Sequence, residues 1–229
     1  MNVRAELAFS RNARTFETQR SSLVVKGIAH ACLSVTLSPD GLPCNPALTP
    51  LNKKPSLGAE ILLSNGVSTL KNVRSLVGGN MNEELIETLF SSGQIMQIES
   101  NIDINFVSKY INSQYTPLSV KGFSVVRNEA NPDIDLYAIE EESFTVQSGY
   151  EFFEDFYAGL QIRTAKRKFI RQRFKLIALG TQDGKDLLKP KEQNAVYVEP
   201  GLTWFMGGEW KPRVSLFVTN MGHVSEKYE

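Results

Sequence analysis

DFYAGLQIR, residues 155–163, sets Phe156, Ala158, Leu160 and Ile162 in strict alternation with Tyr157, Gly159, Gln161 and Arg163. A period of two puts the first set on one face of a β-strand and the second on the other. The pattern returns in AVYVEPGLTWF (195–205), where Val196, Val198, Leu202 and Trp204 oppose Tyr197, Glu199, Gly201 and Thr203. It returns again in PRVSLFVTN (212–220), where Val214, Leu216 and Val218 oppose Ser215, Phe217 and Thr219. Such strands are either half-buried strands of a soluble antiparallel domain or barrel strands that face lipid outside and water within.

Working outward, further strand candidates are 56–64, 94–110, 115–127 and 134–152, with the outer three segments at 155–170, 194–206 and 212–221. Turn clusters at Asn65-Gly66, Asn112-Ser113, 128–133 and Glu154-Asp155 separate them, which predicts an all-β antiparallel meander. Between 68 and 92 the period changes. Leu70, Val73, Leu76 and Val77 fall at helical spacing before Gly78-Gly79, and Asn82 caps a second apolar-periodic stretch that stops at Gly93. This is a short helical insertion in a β pattern. Residues 174–193 read either as a strand running into a loop or as a loop holding a helical turn. Residues 1–56 hold a proline-rich run and no regular pattern, so they are read as an irregular lead-in or plug preceding a β domain over 57–229.

Charge and composition choose no partner. The 229 residues carry 25 basic and 25 acidic side chains, which gives no bulk attraction to nucleic acid or to an anionic surface. No apolar run is long enough for a membrane helix, and no secretion leader is visible at the start. Enzyme constellations are thin: the two histidines, His30 and His223, have no zinc-like spacing, and no phosphate-cradling or dinucleotide glycine pattern occurs. The chain is accordingly read as non-enzymatic, without a cofactor or metal. Cys32 and Cys44 are the only cysteines, and an oxidising compartment would favour a bridge between them. Arg163, Lys166, Arg167, Lys168, Arg171 and Arg173 form a basic cluster with no aromatic interleaving beyond Phe169, read as lining a lumen or loop and not nucleic acid. Their partners by chain order would be Glu140, Glu142 and Glu151 on the preceding strand.

Three segments together resemble the FadL/PorV/TraF-like outer-membrane barrel proteins. DGLPCNPALTPL (40–51) resembles the family's segment before its first strand through Asp40, Asn45, Pro46 and Ala47. FYAGLQIRTAKRKFIRQ (156–172) resembles its glycine-containing strand running into a basic stretch. Residues 196–222 resemble a hairpin whose second strand ends Asn-x-Gly, here Asn220 and Gly222. The resemblance implies a porin-like membrane protein in the bacterial outer membrane, with the lipid bilayer as partner. Its role there would be passage (transport) or docking of a hydrophobic or protein substrate. With too few strands for such a barrel, the chain would be incomplete, its open edges covered by other protein chains. The competing expectation is a soluble antiparallel β-domain that binds a ligand or a protein partner.

Overall fold

The computed structural model describes residues 44–63, 67–79, 96–127, 133–175, 177, 186, 188–207 and 212–226. Among the described residues, eight strands form one antiparallel sheet: β1 (Ser56–Leu63), β2 (Met96–Val107), β3 (Ile111–Arg127), β4 (Asp133–Phe153), β5 (Phe156–Lys175), β6 (Lys191–Phe205), β7 (Arg213–Phe217) and β8 (Gly222–Glu226). They pair in sequence order from β1 to β7, and β8 also pairs with β6. Where connections are short, as at 108–110 between β2 and β3 and at 154–155 between β4 and β5, successive strands pair antiparallel with their neighbours in sequence.

Two prolines shape the ladders. The β2–β3 and β3–β4 registers shift around Pro117, which has no amide to donate. In β6, Pro200 faces the gap between β7 and β8, where Val218 donates to the Pro200 carbonyl and Val198 to the Met221 carbonyl. Asn220 sits in this bulge at φ 58°. The predicted turn at Asp155 is present, at φ 63°. The predicted turn at Asn112-Ser113 is not. The chain reverses at 108–110, where the Ser108 hydroxyl accepts from the Ile111 amide and Asn112 Oδ1 accepts from the Ser108 amide at 2.7 Å. Asn112 closes that turn from within β3.

The inserted helix α1 (Val67–Val77) covers one end of one sheet face. Its Val73, Leu76 and Val77 pack on Ile134, Leu136 and Ala138 of β4 and on Ile170 and Phe174 of β5, with Leu188 beside them. These strand positions are even-numbered, so they share a face. Arg74 meets Glu140 at 3.5 Å where that cover ends. Gly79 follows the helix at φ 79°, the left-handed geometry that stops it. The expected second helix from Asn82 lies outside the described residues, as do the lead-in through residue 43 and the turns at Asn65-Gly66 and 128–132.

The sheet is open. No pairing joins β1 to β7 or β8 among the described residues, so it is a meander and not a closed barrel. This corrects the membrane expectation. Within hydrocarbon every backbone N–H and C=O must be paired, which only closure achieves, and each unpaired group costs several kcal/mol. The lipid bilayer as partner, the outer-membrane location and the porin-like transport role fall with it. No described helix is long and apolar enough to cross a membrane.

Candidate functional site

Beyond α1, the sheet has two unlike faces. Pro46–Leu51, a short 3-10 helix, lies as a strap across the face carrying the odd-numbered residues of β4, β5 and β6. Asn45 starts it: Oδ1 accepts from the Ala47 amide at 3.0 Å, which fixes the first turn. Its Nδ2 donates to the Leu202 carbonyl (3.1 Å), Thr203 Oγ1 (3.1 Å) and the Leu216 carbonyl (3.4 Å). At the other end, Asn52 Nδ2 donates to Asn112 Oδ1 and Asn112 Nδ2 to Thr49 Oγ1. The strap is thus tied to β6–β7 at one end and to β3 at the other.

Glycine makes room for it. Gly149, Gly159 and Gly201 stand side by side on β4, β5 and β6. A Cβ on Gly149 would lie 2.5 Å from the Pro46 carbonyl oxygen, and one on Gly159 equally close to Ala47 N and Pro46 O. Asn45 itself would meet a Cβ on Gly201. Three strands therefore share a groove one backbone deep, filled by Pro46 and Ala47.

Along the same face runs a buried charge network. Glu199 (3% exposed) accepts from Arg163 Nη2 at 3.3 Å, from the Asn220 amide at 2.9 Å and from Gln161 Nε2. Arg163 Nη2 also donates to Asn220 Oδ1 at 2.7 Å, and its guanidinium lies 4.3 Å from the Tyr197 ring centre. The left-handed Asn220 thus presents its amide to the acid and its side chain to the base. Gly222 lets β8 close on β6, since a Cβ there would strike the Val196 carbonyl and Tyr197. Further along, Arg167 Nε donates to Glu141, and Nη1 to Gln193 Oε1 (3.5 Å) and the Tyr197 hydroxyl (3.3 Å). Burial disfavours the Arg167 cation, but Glu141 and then Tyr197 outweigh it, so its pKa stays above the usual guanidinium value.

The structure divides the six-residue basic cluster. Arg163 and Arg167 point to the strap face, while Lys166 and Lys168 alternate to the other, where Lys168 pairs with Glu192 at 3.2 Å. Arg173 pairs with Asp135 at 3.4 Å, and Arg171 is exposed. The expected acidic partners are corrected by one residue of parity. Glu141 and Glu199 serve the buried arginines, and Glu140 goes to Arg74. Sequence order pointed to β4 alone, although β6 supplies Glu199 from the other side. Of the family-like residues, Asn45, Pro46 and Ala47 form the strap, and Asn220 and Gly222 form the β7–β8 bulge. Asp40 lies outside the described residues. Cys44 is disulfide-bonded, and Cys32 is outside the described residues.

The opposite, outer face is apolar and, among the described residues, uncovered beyond α1. Leu160 is 44% exposed and Trp204 48%, and Ile61, Phe106, Phe144 and Leu216 continue the surface across the strands. Charges return where it ends, at Glu142, Lys166 and Lys168. No group of three or more His, Cys, Asp or Glu placed to hold a metal occurs among the described residues.

Compared with known proteins, the chain matches no family model, no curated protein and no solved structure. The open sheet with its buried ion pairs overturns assignment to the FadL/PorV/TraF-like barrels. What the fold and site define is an open antiparallel β-sheet domain with a strapped polar face and an apolar outer face.

Proposed function

We propose that the chain is a non-enzymatic β-domain that binds a protein partner across its outer face. The observation that carries this is the inverted sidedness of β1 to β7. Gln147, Gln161, Arg163 and Glu199 are buried on the strap face, while Leu57, Ile61, Phe144, Leu160, Trp204 and Leu216 lie exposed on the other. An exposed apolar surface that runs on across neighbouring strands is the kind that marks an interaction site, unlike single apolar residues scattered over a surface. Aromatic side chains such as Trp204 and Phe144 supply anchors of the kind found at interface centres, and Glu142, Lys166 and Lys168 give the surface a polar border at one end. The partner is thus a protein with an apolar surface of its own, met side chain to side chain.

Site-specific photo-crosslinking tests this in the native cell, with a photoreactive phenylalanine analogue at Leu160, Trp204 or Leu216 and, as controls, at Lys166 or Lys168. The expected result is one discrete polypeptide adduct from the three apolar positions, lost when Leu202 is changed to Lys. Adducts to phospholipid in place of polypeptide, or equal adducts from apolar and control positions, would overturn the proposal.

A further inference from the structure

On the strap face, at the end of the sheet away from the strap, a cavity of about 470 Å³ opens between β5 and β6. That volume lies within the range of small-molecule sites. Arg167, Phe169, Arg171, Lys191, Gln193 and Tyr197 line it, with Ile139 and Val224 among its apolar walls and Lys189 on the approach. No carboxylate is among the described lining residues. Lys189 is 2.9 Å from Asp186, and Arg167 is offset by Glu141 behind it. Among the described residues, the Arg167 hydrogen bonds are made by Nε and Nη1 and none by Nη2. Arg171 makes no ion pair among the described residues. It stands beyond the Phe169–Lys191 step at which the β5–β6 pairing begins.

We infer that this cavity binds a small organic carboxylate with a flat apolar body. Guanidinium forks match carboxylate oxygens in geometry as well as charge. Ile139, Phe169 and Val224 give the body an apolar wall, and the Tyr197 ring is held in place by Arg163 and Arg167. Neither the strap nor the outer face takes part, so the inference stands independently of the protein-binding proposal.

Calorimetric titration with 1-naphthoate, alongside its neutral analogue 1-naphthamide, is the test. Saturable one-to-one binding of naphthoate is expected, weakened at least about tenfold in Arg171→Glu and again in Lys191→Glu, as for loss of a charged hydrogen bond. Both side chains are at the surface end of the cavity, and circular dichroism checks that each variant is folded. Lys53→Ala, exposed just past the strap and away from the cavity, should bind as the unaltered protein does. Equal affinity for the amide would overturn the inference. So would unchanged binding in both charge reversals, or no heat at ligand concentrations of about 1 mM.

Discussion

Replacing Gly159 by alanine adds one methyl group, and the structure makes that methyl costly. Its carbon would lie 2.5 Å from Ala47 N and Pro46 O, and nearer still to the Pro46 carbonyl carbon. These are backbone atoms, so no rotamer change relieves the overlap, and ordinary contact requires the strap to retreat by about 1 Å. Retreat stretches the bonds Asn45 donates to Leu202, Thr203 and Leu216, each worth about 0.5–1.5 kcal/mol. It also lifts Leu48, now fully buried, whose complete exposure would cost about 1.5–3 kcal/mol. Partial displacement therefore costs about 2–4 kcal/mol, measurable as a lowered midpoint in urea unfolding. Hydrogen exchange localises the effect: the Ala47 and Leu48 amides, bonded to Asn45 Oδ1 and Asn45 O, should lose protection before the β5 amides do. Gly201→Ala pushes on the same strap through Asn45, so the double variant should fall short of additivity. Gly207→Ala, with nothing within 4 Å of the added carbon, is the neutral control. Gly159→Ala within about 0.5 kcal/mol of the parent, with the strap amides still protected, would refute the reasoning.

Glu199→Gln keeps the shape but leaves Arg163 as an uncompensated buried cation, so unfolding stability should drop by about 3–5 kcal/mol. Arg163→Met with Glu199→Leu should restore much of that loss, and an additive double variant would count against a coupled pair. Burial first, and then the charges of Glu151 and Asp155, hold the Tyr157 phenol above its ordinary value. A raised acid favours the folded state fully below the unfolded pKa, and that advantage is lost as pH rises through the folded pKa. Stability should therefore decline above about pH 10, and Tyr157→Phe should flatten the decline; an identical alkaline profile would remove the assignment. With Cys44 disulfide-bonded, thiol counting on denatured, unreduced protein should give no reactive thiol, and two would contradict the bond.

How much of this was legible follows from what alternation encodes. Phe156–Arg163 showed which residues share a face, and the pairing of Gln161 with Glu199 across β5 and β6 keeps that division. The meander and the turn at Asp155 were equally readable, because both depend on neighbours in sequence. Register was not. Glu140 and Glu141 differ by one residue and face opposite ways, and nothing in EEE (140–142) says which carboxylate meets an arginine. Nor could sequence place Asn45 under Leu202 and Leu216, since that contact spans more than 150 residues. Three glycines, 149, 159 and 201, carried the signal of a close approach by backbone. Only the register shows them to be one groove.

The alternation also leaves open what each face meets, and there the resemblance misled. An apolar set outside and a polar set inside is the arrangement a lipid-facing barrel needs, but the same arrangement arises whenever a polar face finds protein partners to pair with. Here Glu199 takes three donors from β5 and the β7–β8 bulge, and Arg167 shares out its donors among β4 and β6. The strap spends its own polar atoms on the same face. Burying these groups without partners would cost several kcal/mol each, and pairing them removes that penalty without any bilayer. The polar face is thus the organised interior of the domain. The apolar face, left without an internal counterpart beyond α1 among the described residues, is where a second protein surface would gain most by docking.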